Sequence, residues 1–254
     1  MLLVIDVGNT ETVLGVFDGD ELAAHWRVTT VRGRTRDEYR LLLGGMLEME
    51  GYSPSKLAGV AVSSVVPPAT QALRDVAGSL ADGPVLVIEP GVKTGMPILI
   101  DNPREVGADR IVNAVAAVRL YGTPAVVVDF GTSTNFDVVS AGGEYVGGVI
   151  STGLEVSQEA LIRATAALRR VELVPPRSVI GKGTVEAIQS GLLYGHAGLV
   201  DGIVSRIIAE LGGDVHTLAT GGLASTIVPY CASVDAVDEF LTLHGLRLIA
   251  EMNL

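Results

Sequence analysis

The feature that most constrains this chain is an apolar strand that ends in a carboxylate and a glycine turn, and that occurs twice. Leu2-Leu3-Val4-Ile5 stops at Asp6-Val7-Gly8-Asn9-Thr10, and Ala125-Val126-Val127-Val128 stops at Asp129-Phe130-Gly131-Thr132-Ser133. Each run has the length and β-branched content of a buried strand. A second strand-like run follows each, Thr12 to Phe17 and Asn135 to Ser140. The copies stay in step at an offset of 123 residues (Asp6 to Asp129), as far as Asp18-Gly19-Asp20-Glu21 and Ala141-Gly142-Gly143-Glu144. A unit used twice predicts two related half-domains facing one another across a cleft. A glycine turn can offer backbone N–H groups to a phosphate, because no side chain blocks the approach. The carboxylate repels phosphate and better suits a cation or its water. One such hairpin alone is equally consistent with a plain turn closed by Asp and Asn; the repetition favours a ligand site.

Between and after the hairpins the chain alternates strands with helices, the rhythm of an α/β fold. Leu22 to Thr29 reads as a third strand and Arg32 to Arg36 as a basic loop. Thr35 caps a helix running to about Glu50, with Glu38 completing a capping box. Gly59 to Val66 is a buried strand ended by Pro67-Pro68, followed by a helix from about Ala69 to Leu80 and a strand from Pro84 to Ile88. In Asp101-Asn102-Pro103-Arg104-Glu105, Asn102 can cap a first turn that Gly107 breaks. A longer helix then covers Asp109 to Leu120. In the second half Tyr145 to Ile150 is a strand, Leu154 to Leu168 a helix, and Thr184 opens a long helix to about Leu211. Val215 to Ala219 is a strand, with a short one near Val234 and a last helix from Leu241 to Met252. Without a linker or low-complexity segment, two halves are expected, 1–120 and 121–254.

A net charge of −11 argues against nucleic acid and against an anionic membrane surface as partners. A phosphate ligand then needs local help from backbone amides, a few basic residues and a metal. No uncharged apolar run reaches membrane-spanning length, and the N-terminus has no signal-peptide pattern. Cys231 is the single cysteine, which fits a cytoplasmic setting. The histidines lack metal-ligand spacing, so zinc is not expected.

Two familiar phosphate loops fail on inspection. Gly181-Lys182-Gly183-Thr184 has a glycine where a Walker A motif needs Ser or Thr, and the dinucleotide fingerprint lacks its third glycine there. The Gly221-Gly222 pair in Ala219-Thr220-Gly221-Gly222-Leu223-Ala224 can lie against something flat such as an adenine ring. Taken alone, it is an ordinary strand–helix turn.

Together these elements resemble the acetate/sugar kinase, Hsp70 and actin superfamily. The similarity narrows to the type III pantothenate kinase family through Asp6-Val7-Gly8-Asn9-Thr10, Asn102 to Arg110 with its Gly107-Ala108-Asp109-Arg110 element, and Asp129-Phe130-Gly131-Thr132. It continues in Arg177 to Thr184 and Thr220 to Ala224. The resemblance implies two duplicated ribonuclease-H-like half-domains facing across a nucleotide cleft, the actin-like ATPase fold. It implies ATP-dependent phosphorylation of pantothenate to 4'-phosphopantothenate, with Mg²⁺ and a monovalent cation, K⁺ or NH₄⁺, by a homodimer whose active site lies near its interface.

Position by position, the resemblance makes Asp6, Val7, Gly8, Asn9, Thr10, Glu11, Thr12 and Val13 the first phosphate loop, with Asp6 near Mg²⁺. Thr132 contacts ATP phosphates, Gly221 and Gly222 the adenosine, and Asp129 the monovalent cation. Ile100, Gly107, Ala108, Asp109 and Arg110 line the pantothenate pocket. Asp109 is the general base, and Thr184 reaches substrate from the partner subunit. The chemistry agrees, since phosphoryl transfer to a hydroxyl needs alignment, charge neutralisation and a carboxylate to take the proton late. Arg110 is expected to keep Asp109 ionised. From spacing alone, Asp109 and Thr184 are also good helix N-caps.

The sequence departs from the family at three places. Ile100 stands where Tyr is usual, Asn135 where Thr is usual, and Glu11 adds a negative charge beside the phosphates. These departures leave two alternatives: a catalytically silent nucleotide-binding homologue with a regulatory role, or a kinase of the same superfamily with another small hydroxylated substrate.

Overall fold

The computed structural model describes all 254 residues and divides them into two compact units, Met1–Ala116 with Leu241–Leu254, and Ala117–Phe240. In the first unit, strands β1 (Leu2–Val7), β2 (Glu11–Asp18) and β3 (Glu21–Thr29) form an antiparallel meander. Strands β4 (Gly59–Ser64) and β5 (Val85–Val87) add in parallel, giving the order β3-β2-β1-β4-β5. Leu3, Val4 and Ile5 are all buried, as a strand covered on both faces requires. Helices α1 (Arg36–Met49) and α2 (Pro67–Leu80) cover one face through Tyr39, Leu43, Leu47, Leu73 and Val76.

The helix starts follow local chemistry. Thr35 caps α1 through its side chain, and Glu38 returns the bond to the Thr35 backbone, completing the capping box. Pro67 and Pro68 form the first turn of α2 rather than a spacer before it, because proline lacks only an N–H that has no helical partner there. Helix α3 (Ala108–Leu120) carries the chain out of the first unit, and α7 (Leu241–Asn253) returns to it. There Gly245 of α7 presses on the backbone of Val112 in α3, and Leu243 meets Gly15 of β2. Arg247 of α7 is buried over the Phe17 ring and pairs with Asp20 at 2.6 Å and Glu251 at 2.5 Å.

The second unit repeats the plan. Strands β6 (Ala125–Phe130), β7 (Ser133–Val139) and β8 (Tyr145–Thr152) form the meander. Strands β9 (His216–Thr220) and β10 (Ala236–Val237) run parallel to β6, in the order β10-β9-β6-β7-β8. That is the order of the first sheet, read from its other edge. The repeat is not in strict register, however. Asp6 pairs with Val13, whereas Asp129 pairs with Asn135, so the second turn is one residue shorter and the 123-residue offset slips after it.

Helix α4 (Leu154–Arg163) stops five residues short of the sequence expectation. The side chain of Gln158 accepts from the Val171 backbone at 2.9 Å and ties the following segment back across α4. Strand β10 lies two residues beyond the expected Val234. Helix α5 (Thr184–Leu211) is the one helix long and apolar enough to span a membrane by length and composition. Its Ile188, Leu192, Leu193, Val200 and Val204 instead form the core of the second unit. Asp201 on the same helix accepts from the backbone N–H groups of Ala232 and Ser233.

Gly245→Ala places a methyl against the Val112 carbonyl and forces α7 and α3 apart. A loss of about 1–3 kcal/mol is expected, read as a lower urea midpoint; an unchanged midpoint would show that the two helices separate freely.

Candidate functional site

In the first unit the candidate residues gather at the carboxyl ends of β1 and β4, where open α/β sheets bind ligands. Asp6 is half-buried at the end of β1, and the turn Gly8-Asn9-Thr10 is closed by a bond from the Gly8 N–H to the Glu11 carbonyl at 2.9 Å. Val7 and Thr12 are buried, with the Thr12 and Thr30 hydroxyls 2.9 Å apart, while Asn9, Thr10 and Glu11 are exposed. Val13 is half-buried. Glu11 is not the bare charge expected beside the phosphates, because Arg27 from β3 pairs with it at 2.5 Å.

The Gly107-Ala108-Asp109-Arg110 element reaches the same end of the sheet. The Val65 N–H donates to the Val7 carbonyl at 3.1 Å, and Val65 in turn borders Gly107. The Asp109 carboxylate folds back over Gly107 so closely that a side chain at 107 would overlap it. Asp109 is the second residue of α3, so it is not the N-cap that its spacing allowed. Its Oδ1 accepts from the Arg110 N–H at 2.8 Å. Burial pushes the Asp109 carboxyl above the usual Asp range, and the Arg110 backbone bond and charge only partly oppose it. The expectation that Arg110 sets its ionisation is therefore corrected: loss of water outweighs the neighbouring cation. Asn102 caps the short 3₁₀ turn Pro103–Glu105, accepting from the Arg104 N–H at 3.3 Å, and Ile100 lies just before it, half-buried.

In the second unit the site residues converge on the ends of β6 and β9. Gly221, at φ +91, lies against Asp129: a Cβ there would stand 2.5 Å from Asp129 Oδ1 and 2.7 Å from the Phe130 backbone. Gly222 follows it exposed, and the Leu223 N–H donates to the Phe130 carbonyl at 3.3 Å. Thr132 is exposed at the tip of the second turn. Beneath that turn lies a residue the sequence reading missed, Gly153, where a Cβ would come within 2.6 Å of the Gly131 carbonyl. Its signal was present as a glycine between a strand and a helix, the place for close backbone approach. His196 of α5 sits 2.8 Å from the Thr134 hydroxyl, and burial lowers its pKa, so its ring is neutral near pH 7.

Thr184 is the first residue of α5, with Gly183 in the cap position, so its side chain does not cap the helix. It lines a groove of about 810 Å³ between α4 and α5, with Ser157, Leu161, Ile188 and Leu192. The Ser157 hydroxyl donates to the Gly153 carbonyl at 2.9 Å, which connects that groove to the second turn. No group of three or more His, Cys, Asp or Glu side chains is placed to hold a metal ion. A single carboxylate at each strand end fits Mg²⁺ or a monovalent ion completed by phosphate oxygens and water better than an all-protein cage.

Two sheets of one order, each ending in a carboxylate and glycine turns, give the chain the actin-like ATPase fold. The ROK hexokinase from Thermus thermophilus superposes with a TM-score of 0.53 at 14% identity, over 99% of each chain. Residues 2–206 match the family model for type III pantothenate kinase. The type III pantothenate kinase of Frankia alni is 56% identical over 100% of both chains, and that of Streptomyces avermitilis is 53% identical over 100% of this chain and 99% of its own. The chain belongs to the type III pantothenate kinase family.

Gly221→Ala drives a methyl into Asp129 and into a backbone conformation that L side chains rarely adopt. A misplacement of about 1 Å can cost about 100-fold in rate, so kcat/KM for ATP is expected to fall by that order. Steady-state kinetics beside a melting curve checks it; wild-type kinetics would show that the Gly221–Asp129 contact is dispensable.

Proposed function

We propose a division of labour for the family's reaction, the ATP-dependent phosphorylation of pantothenate to 4'-phosphopantothenate that opens coenzyme A biosynthesis. In the first unit the Asp6 to Val13 loop receives nucleotide phosphates through the Gly8-Asn9-Thr10 backbone, and Gly107 to Arg110 with Ile100 receive pantothenate. Asp109 takes the proton of the attacking primary hydroxyl as its oxygen bonds to the γ-phosphorus and the bond to the ADP oxygen breaks. In the second unit Thr132 contacts phosphate, and Gly221 and Gly222 lie beside the adenosine. Asp6 is the candidate ligand for Mg²⁺, and Asp129 for K⁺ or NH₄⁺. When bound, these ions supply neutralisation of the charge on the transferring phosphates.

The observation that carries this reading is the Asp109 carboxylate, desolvated and folded onto Gly107. A carboxylate whose pKa is raised is a better proton acceptor. The pairing of Glu11 with Arg27 removes one motive for a silent homologue.

A homodimer is proposed on the groove beside Thr184. Val179, Ile180 and Val185 near it are 66%, 82% and 56% exposed, an apolar surface of the kind that a second copy covers. Thr184 would then reach the partner's substrate. The half-buried Cys231 thiol, pushed up to about 11 by burial and by Asp201, stays protonated at neutral pH.

ADP release should require pantothenate, Mg²⁺ and K⁺ together; nucleotide binding without pantothenate-dependent turnover would leave only the silent homologue. Asp109→Asn should lose roughly 10²–10⁴-fold in kcat. The raised pKa also makes Asp109 a cost to the fold. Between the unfolded and folded values the native state holds the extra proton, so the group withdraws stability as pH rises through that window and is fully unfavourable above it. Asp109→Asn should therefore melt no lower than wild type at pH 7. The acid limb of wild-type kcat should lie above the ordinary Asp range; a limb near pH 4 or below would remove Asp109 as the base.

A further inference from the structure

We propose that Arg32 is a phosphate-binding residue of the nucleotide site, a guanidinium held over the first glycine turn to take oxygens of the ATP polyphosphate. The proposal rests on the kinase reading and deepens it. Arg32 stands on the loop between β3 and α1, exposed, and its Nη2 donates to Asn9 Oδ1 at 3.3 Å. Asn9 is the central residue of the turn, so the guanidinium lies where a phosphate seated on the Gly8-Asn9-Thr10 backbone would present its oxygens.

Both ends of the Arg32 loop are fixed. On the strand side the Thr30 N–H donates to the Thr10 carbonyl at 2.8 Å, and the Thr12 and Thr30 hydroxyls meet at 2.9 Å. These bonds tie the loop directly to the phosphate turn. On the helix side the Arg34 N–H closes a turn onto the Val31 carbonyl at 3.0 Å, and the Arg34 guanidinium lies 5.4 Å from the centre of the Tyr39 ring. The Thr35 and Glu38 capping box then anchors the start of α1. Little loop ordering is left for binding to supply, so less entropy is lost when the arginine engages a ligand.

The charge balance points the same way. A chain of net charge −11 repels a nucleoside triphosphate at long range, and the first turn itself carries Asp6 and Glu11. Arg27 is committed to Glu11 at 2.5 Å. Arg32 bonds instead to a neutral amide oxygen, a weaker partner than a phosphate oxygen. A planar guanidinium can exchange that amide for two phosphate oxygens, or bridge Asn9 and one of them.

The test uses the full chain and direct binding of a non-hydrolysable ATP analogue, ADP and AMP, measured by calorimetry for wild type, Arg32→Gln and Arg32→Lys. Arg32→Gln should weaken the ATP analogue about tenfold or more, ADP less and AMP little, with its melting temperature unchanged. Arg32→Lys should recover part of the loss, because it restores the charge without the fork. Wild-type affinity should also fall more steeply with KCl than that of Arg32→Gln. Equal affinity in wild type and Arg32→Gln would overturn the proposal, as would an equal loss for ATP analogue and AMP, which marks a merely structural residue. A wild type that binds the analogue but shows no pantothenate-dependent ADP release would sink the kinase reading while the Arg32 comparison still stands on binding alone.

Discussion

In both units a carboxylate lies against a glycine, so close that a Cβ on the glycine would meet it. Asp109 folds over Gly107 in the first unit, and Asp129 lies against Gly221 in the second. A third close approach puts Gly153 under the carbonyls of Gly131 and Thr132. Asp129 at the end of β6 meets the turn after β9, and the first glycine turn follows β1; Ala125 to Val128 and Leu3 to Ile5 in those strands are buried on both faces. Dense packing leaves those strands little freedom to shift. The turns inherit their rigidity, and a phosphoryl-transfer site needs that rigidity more than it needs covalent chemistry.

Burial takes water from the Asp109 carboxyl, and that loss exceeds what Arg110 and the backbone return. An adjacent arginine in the sequence suggests a carboxylate held ionised and weakly basic. Burial works the other way and makes the side chain a stronger base. Sequence adjacency says which charges are near; only the fold says which are separated from water.

The hairpins and the capping box that starts α1 were legible because local rules fix them, whereas Asp109 and Thr184, which spacing allowed as N-caps, stand inside their helices. Alternating and β-branched runs set the strands, Thr35 and Glu38 set the start of α1, and the repeat set the second sheet. The roles expected of Asp109 and Thr184 come only from family resemblance, since an Asp or a Thr just before a helix reads as a cap on any fold. The end of α4 and the role of Gly153 were not legible. Both depend on partners distant in the chain, Val171 for Gln158 and the turn at 131–132 for Gly153. Arg27 was hidden for a related reason, because its pairing with Glu11 exists only once β2 and β3 lie side by side.

The two units share a sheet order but not a turn. With three residues between β1 and β2, the first turn is long enough to raise Asn9 toward the β3–α1 loop. With two residues between β6 and β7, the second is drawn down onto Gly153 at the start of α4. One is bordered by side chains carrying charge, Arg27, Arg32 and Glu11; the other is bordered by backbone and by the N-terminal end of a helix, whose free N–H groups carry partial positive charge. A change of one residue in a turn therefore alters what stands beside it without disturbing the strands. The carboxylate at the strand end is common to both units, and the surroundings of each turn are where the two copies have become chemically different.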